Sequence, residues 1–237
     1  MKLEVIFTPE ELAGGDIREH VAIVIDVLRA TSVMAQAIAS GARAIYPTGD
    51  MEEAVRLGQT LDRSELILCG ERRGLRIEGF DLGNSPLEFT PDTVADRTLV
   101  MATTNGTPAM VAASTAARVY AASFLNLGAV TRAVGDAASV TVICAGRERR
   151  FALEDAVCAG MLAERIMKGR RGVEANDGVT AAVALAARFG ADLDSMMRDT
   201  AAGRQLIEIG QEHDVVYCAG IDQLDVVPRL EDRRITA

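Results

Sequence analysis

The sequence predicts an α/β fold: a mostly parallel sheet covered by helices on both faces, with a helix-rich C-terminal part. Two observations carry that expectation. Short runs such as VAIVIDV (21–27) and SVTVIC (139–144) are apolar at almost every position, which suits strands buried on both faces. Between such runs lie longer Ala-rich stretches with helical periodicity, and strand–helix alternation of this kind packs as a parallel sheet between helical layers.

Strands are expected at 2–7, 21–27, 42–46, 65–69, 98–102, 118–121 and 140–144, and helices at 32–40, 51–61, 107–114, 125–134 and 153–168. The helix at 51 is preceded by Asp50 and carries Glu53, an N-cap with its capping-box partner. Beyond Gly172 strands nearly vanish; Asp177 is placed to cap a helix reaching Phe189, and Asp192 one reaching about Thr200. The tail after Pro228 is dense in charge and is expected to fray. No low-complexity linker or internal repeat divides residues 1–237, so one domain is expected.

Composition narrows the function. Hydrophobic residues make up 49% and aromatics 4%, with no Trp, so Ala, Val, Leu and Ile must fill the core. A net charge of −9 argues against a nucleic-acid groove, which needs a basic face. A small anionic substrate remains compatible, because a few arginines or one metal ion reverse the field inside a cleft. Cys69, Cys144, Cys158 and Cys218 form no C-x-x-C pair, so reduced thiols are expected rather than zinc or disulfides. Met1 leads directly into KLEVIFT without the regions of a signal peptide, and no apolar run reaches membrane-spanning length. The expected location is the cytoplasm, with no membrane partner; a homodimer is left open.

Ligands of open parallel sheets bind outside the carboxyl ends of the strands, and four such ends are chemically unusual here. In Asp26-Val-Leu-Arg-Ala-Thr-Ser32, Asp26 is a candidate metal ligand and proton acceptor, and Arg29 offers a planar fork for an anion. Thr31 and Ser32 lie where helix N-terminal amides favour anions, although a plain cap explains one hydroxyl. Leu28 stands where haloacid-dehalogenase phosphatases have a second Asp, which disfavours an aspartyl-phosphate mechanism of that type. The Gly-rich stretch 70–86 supplies Glu71, Arg72, Asp81 and Asn84 as candidate ligands, with Asp81 the alternative to Asp26 as the catalytic acid that takes a proton from water. Thr103-Thr104-Asn105-Gly106-Thr107 makes a phosphate cradle of Thr104, Asn105 and Gly106, without the Gly-Lys-Ser/Thr of a P-loop. In Cys144-Ala-Gly-Arg-Glu-Arg-Arg-Phe-Ala-Leu-Glu-Asp155, Arg147 faces substrate and Glu154 and Asp155 offer hard oxygens to Mg²⁺. An acidic first helical turn explains either acid alone.

A rival reading uses the same segment. Cys144 and Arg150 have the C-x₅-R spacing of cysteine-dependent phosphatases, whose thiolate attacks phosphorus. No Ser or Thr follows Arg150, so this stands second. A non-catalytic module binding a small anion is a third reading. His20 and His213 have no metal-spaced neighbours and are expected to be structural or exposed; no G-x-S-x-G elbow or dinucleotide fingerprint occurs.

Taken in order, DVLRATS, GFDLGNSP, TTNGT and CAG…F-x-LEDA, followed by GRQLIEIG, HDVVYCAGID and VVP, resemble the 2-phosphosulfolactate phosphatase family over nearly the whole chain. The resemblance implies an α/β phosphatase that uses Mg²⁺ to convert 2-phosphosulfolactate into 3-sulfolactate and phosphate, a step toward coenzyme M. One stretch departs from the family pattern: Ser-x-His-Gly is replaced by Thr200-Ala-Ala-Gly203, which implies another ester if that His touches substrate in relatives.

Overall fold

The computed structural model describes residues 1–13 and 15–237. Strand β1 (Lys2–Ile6) is followed by β2 (Val21–Ile25), α1 (Ala30–Ala39), β3 (Ala44–Thr48), α2 (Met51–Gly58), β4 (Leu66–Arg72) and the short β5 (Leu75–Arg76). Next come α3 (Pro91–Val94), β6 (Thr98–Ala102), α4 (Gly106–Ala112), β7 (Arg118–Ala122), α5 (Leu127–Val134) and β8 (Ser139–Cys144). The chain continues through α6 (Leu153–Met167), β9 (Glu174–Ala175), α7 (Asp177–Phe189), α8 (Leu193–Asp199), α9 (Ala201–Glu208) and α10 (Glu212–Cys218). It closes with β10 (Arg229–Glu231) and β11 (Arg234–Thr236). Among the described residues, no helix is long and apolar enough to cross a membrane.

The strands form one mixed sheet in the order β5-β4-β6-β3-β11-β10-β7-β2-β8-β1-β9. Two parallel blocks dominate it: β4-β6-β3 and β7-β2-β8-β1-β9. Strand β2 shows why its sequence reads as one apolar run. Val21, Ile23 and Ile25 join the cluster beneath α5–α8, while Ala22 and Val24 join the cluster beneath α1 and α4. Both faces are covered, so both parities must be apolar.

The tail corrects an expectation. Residues 229–236 do not fray but form an antiparallel hairpin that joins the two blocks, pairing with β7 on one side and β3 on the other. Alternation explains it: Leu230 and Ile235 are buried while their charged neighbours point outward. The two-residue turn, Asp232–Arg233, has positive φ at both positions (49° and 64°), the I′ geometry that suits strand twist. Without Asn-Gly or Asp-Gly there, the turn gives no sequence signal.

Other boundaries move for local reasons. Asp50 caps α2 by accepting from Glu53 N at 2.7 Å, and Asp192 caps α8 by accepting from Ser195 N at 3.1 Å. Helix α7 is capped by Asn176, not Asp177; its Oδ1 accepts from Val179 N at 3.0 Å and also binds Val5 N of the neighbouring strand. Strand β4 runs three residues past its expected end, placing Glu71 and Arg72 on the strand.

Candidate active site

The carboxyl ends of β2, β4, β6 and β8 surround one cavity, roofed by α9. Its volume of about 80 Å³ holds several water-sized positions at roughly 10–15 Å³ each, the scale of a phosphoryl group. Five carboxylates line it: Asp26, Glu71, Glu154 and Asp155, each under 9% exposed, and Glu148, which is exposed at the rim.

Main-chain amides hold this acidic wall. Glu71 accepts from Thr104 N (2.7 Å) and Gly74 N (2.8 Å), tying β4 to the turn after β6. Asp155 accepts from Val27 N (2.9 Å) and Gly146 N (3.1 Å), bracketing the ends of β2 and β8. Asp26 has only a long bond from Ala30 N, 3.4 Å from its Oδ1. Gly106 packs against it so tightly that a Cβ would come within 2.5 Å of Asp26 Oδ2 and 2.4 Å of the Ala30 methyl.

Charges crowded in a dry site resist ionisation. Burial, then the charges of Glu71 and Glu154, push Asp26 up to about 7. Asp155 is pushed well above the usual range by burial and then by Asp26 and Glu154. Glu154 is raised by burial, with the Arg147 charge opposing.

The basic wall consists of Arg29, Arg73 and Arg147. Arg29 is 3% exposed; its Nη1 donates to Asp214 at 2.6 Å and to Gln211, and its Nη2 to Gly74 O at 2.8 Å. Arg147 donates to Gln205 Oε1 at 2.8 Å, and Gln205 Nε2 donates in turn to Arg73 O at 2.9 Å. Asn84 also lines the cavity, 4% exposed, and its Oδ1 is buried without a hydrogen-bond partner among the described residues.

A family model described as 2-phosphosulpholactate phosphatase matches residues 6–233. This chain belongs to the 2-phosphosulfolactate phosphatase family. The family is one of phosphoric monoester hydrolases. Similar proteins include a "probable 2-phosphosulfolactate phosphatase" of Caldanaerobacter subterraneus subsp. tengcongensis, 36% identical over 98% of this chain and 96% of that protein. Proteins of the same name from a Synechococcus species and from Symbiobacterium thermophilum are both 39% identical, over 94% and 92% of this chain and 93% and 92% of theirs.

In this family member Asp26, Arg29, Asn84, Thr104, Asn105, Arg147, Glu154 and Asp155 all reach the cavity, as the strand-end rule predicts. Several take supporting roles there. The Thr104 amide is occupied by Glu71, and Asn105 Oδ1 accepts from Glu148 N at 3.0 Å. Thr31 and Ser32 do not line the cavity. Thr31 Oγ1 donates to Asp26 O (2.8 Å) and accepts from Asp26 N (3.0 Å), and Ser32 Oγ donates to Val27 O (2.9 Å), so both hydroxyls fix the turn. Gly106 contributes by its missing side chain.

Arg72 turns back onto Glu71 O (3.0 Å), and Arg73 lines the cavity instead; alternation along the strand puts Glu71 on one face and Arg72 on the other. Asp81 lies outside the cavity, exposed, accepting from Leu68 N (2.8 Å) and Arg63 (3.3 Å), so it ties a loop to β4. Cys144 is fully buried in the core with its thiol pushed well above the ordinary value by burial, and Arg150 is exposed. That leaves the cysteine-phosphatase reading without a nucleophile. His20 bonds Thr141 Oγ1 at 2.8 Å, and His213 is exposed.

The strand-end rule misses Gln205, Gln211 and Asp214. Gln205 and Asp214 leave one trace in the sequence, falling in GRQLIEIG and HDVVYCAGID, two segments that carry the C-terminal resemblance; Gln211 lies between them. Ala202, inside the divergent Thr200-Ala-Ala-Gly203 stretch, also lines the cavity.

Proposed function

We propose that this chain hydrolyses a small phosphate monoester, 2-phosphosulfolactate, to 3-sulfolactate and phosphate, with Mg²⁺ bound beside the substrate. One observation carries the reading: a wall of buried carboxylates faces a wall of guanidiniums across a cavity of phosphoryl size. Among the described residues, no group of three or more His, Cys, Asp or Glu side chains is arranged to hold a metal ion by itself. Mg²⁺ keeps several waters and takes one or two carboxylates plus substrate phosphate oxygens. Glu154 and Asn84 would hold it: Glu154 is a buried acid, and Asn84 Oδ1 is a buried hard oxygen still without a partner. Asp155 has both oxygens occupied by amides and serves as a bracket instead. When bound, the cation supplies charge neutralisation and Lewis acidity that the carboxylates lack.

Arg29 grips the phosphoryl oxygens through the donors it does not share with the protein. Arg147 and Arg73 meet the carboxylate and sulfonate at the far end of the ester. Asp26, poised near neutrality, takes the proton that leaves water as its oxygen attacks phosphorus, and returns it to the departing alkoxide oxygen as the ester P–O bond breaks, which yields 3-sulfolactate and phosphate. The enclosing turns keep bulk water from screening these charges.

The test is phosphate release from a panel of small esters that includes 2-phosphosulfolactate. Turnover concentrated on an ester carrying a second or third anionic group supports the reading. Tight binding of the panel without phosphate release would favour a non-catalytic anion-binding module.

A further inference from the structure

The geometry points to Asp214 as a positioning residue that, with Ser85, sets the orientation of Arg29 and thereby the affinity of the cavity for a phosphoryl anion. The inference rests on the phosphatase reading only for the identity of that anion. Asp214 is 2% exposed and lies on α10, 185 residues from Arg29, yet its Oδ2 accepts from Arg29 Nη1 at 2.6 Å. Its other oxygen, Oδ1, accepts the Ser85 hydroxyl at 2.5 Å. Neither Asp214 nor Ser85 lines the cavity, whereas Arg29 does.

Donor counting shows what this achieves. A guanidinium has five N–H groups. Asp214 and Gln211 take the two on Nη1, and Gly74 O takes one of the two on Nη2. Among the described residues nothing takes the Nε–H or the other Nη2 hydrogen, which leaves two donors for an anion. Fixing the opposite edge of the planar group dictates which edge the cavity receives. Asp214 also compensates the arginine's charge in a site where an unpaired cation would be costly. The buried pair therefore makes Arg29 a donor of fixed direction, and the attraction it offers is short-ranged and geometric. Ser85 restrains the carboxylate in turn, extending the chain of contacts from the 84–86 loop to the cavity.

The experiment measures the dissociation constant for inorganic phosphate by calorimetry, together with KM and kcat, in wild type, Ser85→Ala, Asp214→Asn, Arg29→Lys and the double variant Asp214→Asn/Arg29→Lys. Ser85→Ala removes one hydroxyl at a half-buried site and should fold; phosphate binding should weaken about threefold, with kcat nearly unchanged. Asp214→Asn and Arg29→Lys should each weaken binding roughly tenfold. The decisive result is non-additivity: in the Arg29→Lys background Asp214→Asn should cost nothing further, because Lys presents no fork to orient. Additive losses, or unchanged phosphate binding and KM in folded Ser85→Ala, would overturn the assignment. Calorimetry reads anion affinity whether or not an ester is turned over. Absence of turnover in wild type would therefore sink the phosphatase reading while the positioning role is still judged.

Discussion

The two walls of the cavity are built differently. The carboxylates are held chiefly by main-chain amides at the ends of strands, from Val27, Gly74, Thr104 and Gly146. The guanidiniums are held chiefly by side chains from the C-terminal helices, Gln205 on α9, Asp214 on α10 and Gln211 just before it. A parallel sheet brings its carboxyl ends together whatever the loops contain, so the acidic wall follows from topology. The basic wall exists only if two particular helices dock over it. The acidic wall is thus expected to govern chemistry and cation binding, and the basic wall affinity for the substrate's anionic groups.

The largest effect should come from Asp26→Asn, which removes the proposed proton acceptor but little packing. We expect turnover to fall about 10³-fold in a folded protein, measured as phosphate release beside a melting curve. The same variant tests the electrostatics. In the metal-free chain the folded pKa of Asp26 is about 7 against an ordinary 3.8, so the folded state holds a proton the unfolded state has lost. This group's contribution therefore falls as pH rises from about 4 through 7. Relative to wild type, Asp26→Asn should gain roughly 10 °C in Tm between pH 4.5 and 7.5. A pH-independent difference would place Asp26 in an ordinary solvated site.

Glu154→Gln should act on the cation: the Mg²⁺ concentration for half-activity should rise roughly tenfold or more, with turnover largely recovered at saturation. Recovery at no Mg²⁺ concentration would mean that Glu154 does more than bind metal. On the opposite wall, Arg147→Ala should raise KM roughly tenfold and leave kcat within a few-fold, because it loses charge-assisted contacts made to the ester before and during reaction. A kcat effect exceeding the KM effect would blur the division between the walls. Asp81→Asn should do least, changing turnover by less than about twofold. A severe loss there would return Asp81 to the site.

Legibility in the sequence follows the same division. Alternating apolar strands and Ala-rich helices reveal the sheet, and unusual polar segments following strands reveal Asp26, Asn84, Arg147, Glu154 and Asp155. What stays hidden depends on details below that pattern. A β4 longer than its apolar run turns Arg72 away and brings Arg73 in. A conspicuous GFDLGNSP loop contributes Asn84 to the cavity but leaves Asp81 on the sheet's edge. A charged tail becomes a central hairpin because two apolar residues, Leu230 and Ile235, alternate correctly across a turn without glycine. Asp214 is hidden most completely. On its own helix it is one acid in EHDVVYC, and only the docked tertiary structure gives it Arg29 as partner.

In the proposed reaction one cavity joins a cation on its acidic wall to a phosphate ester on its basic wall. The most direct measurement is the rate of phosphate release from 2-phosphosulfolactate by protein freed of metal with EDTA, followed by Mg²⁺ titration. Release should be negligible without metal and should recover saturably as Mg²⁺ is added. Full activity in EDTA would contradict the proposal.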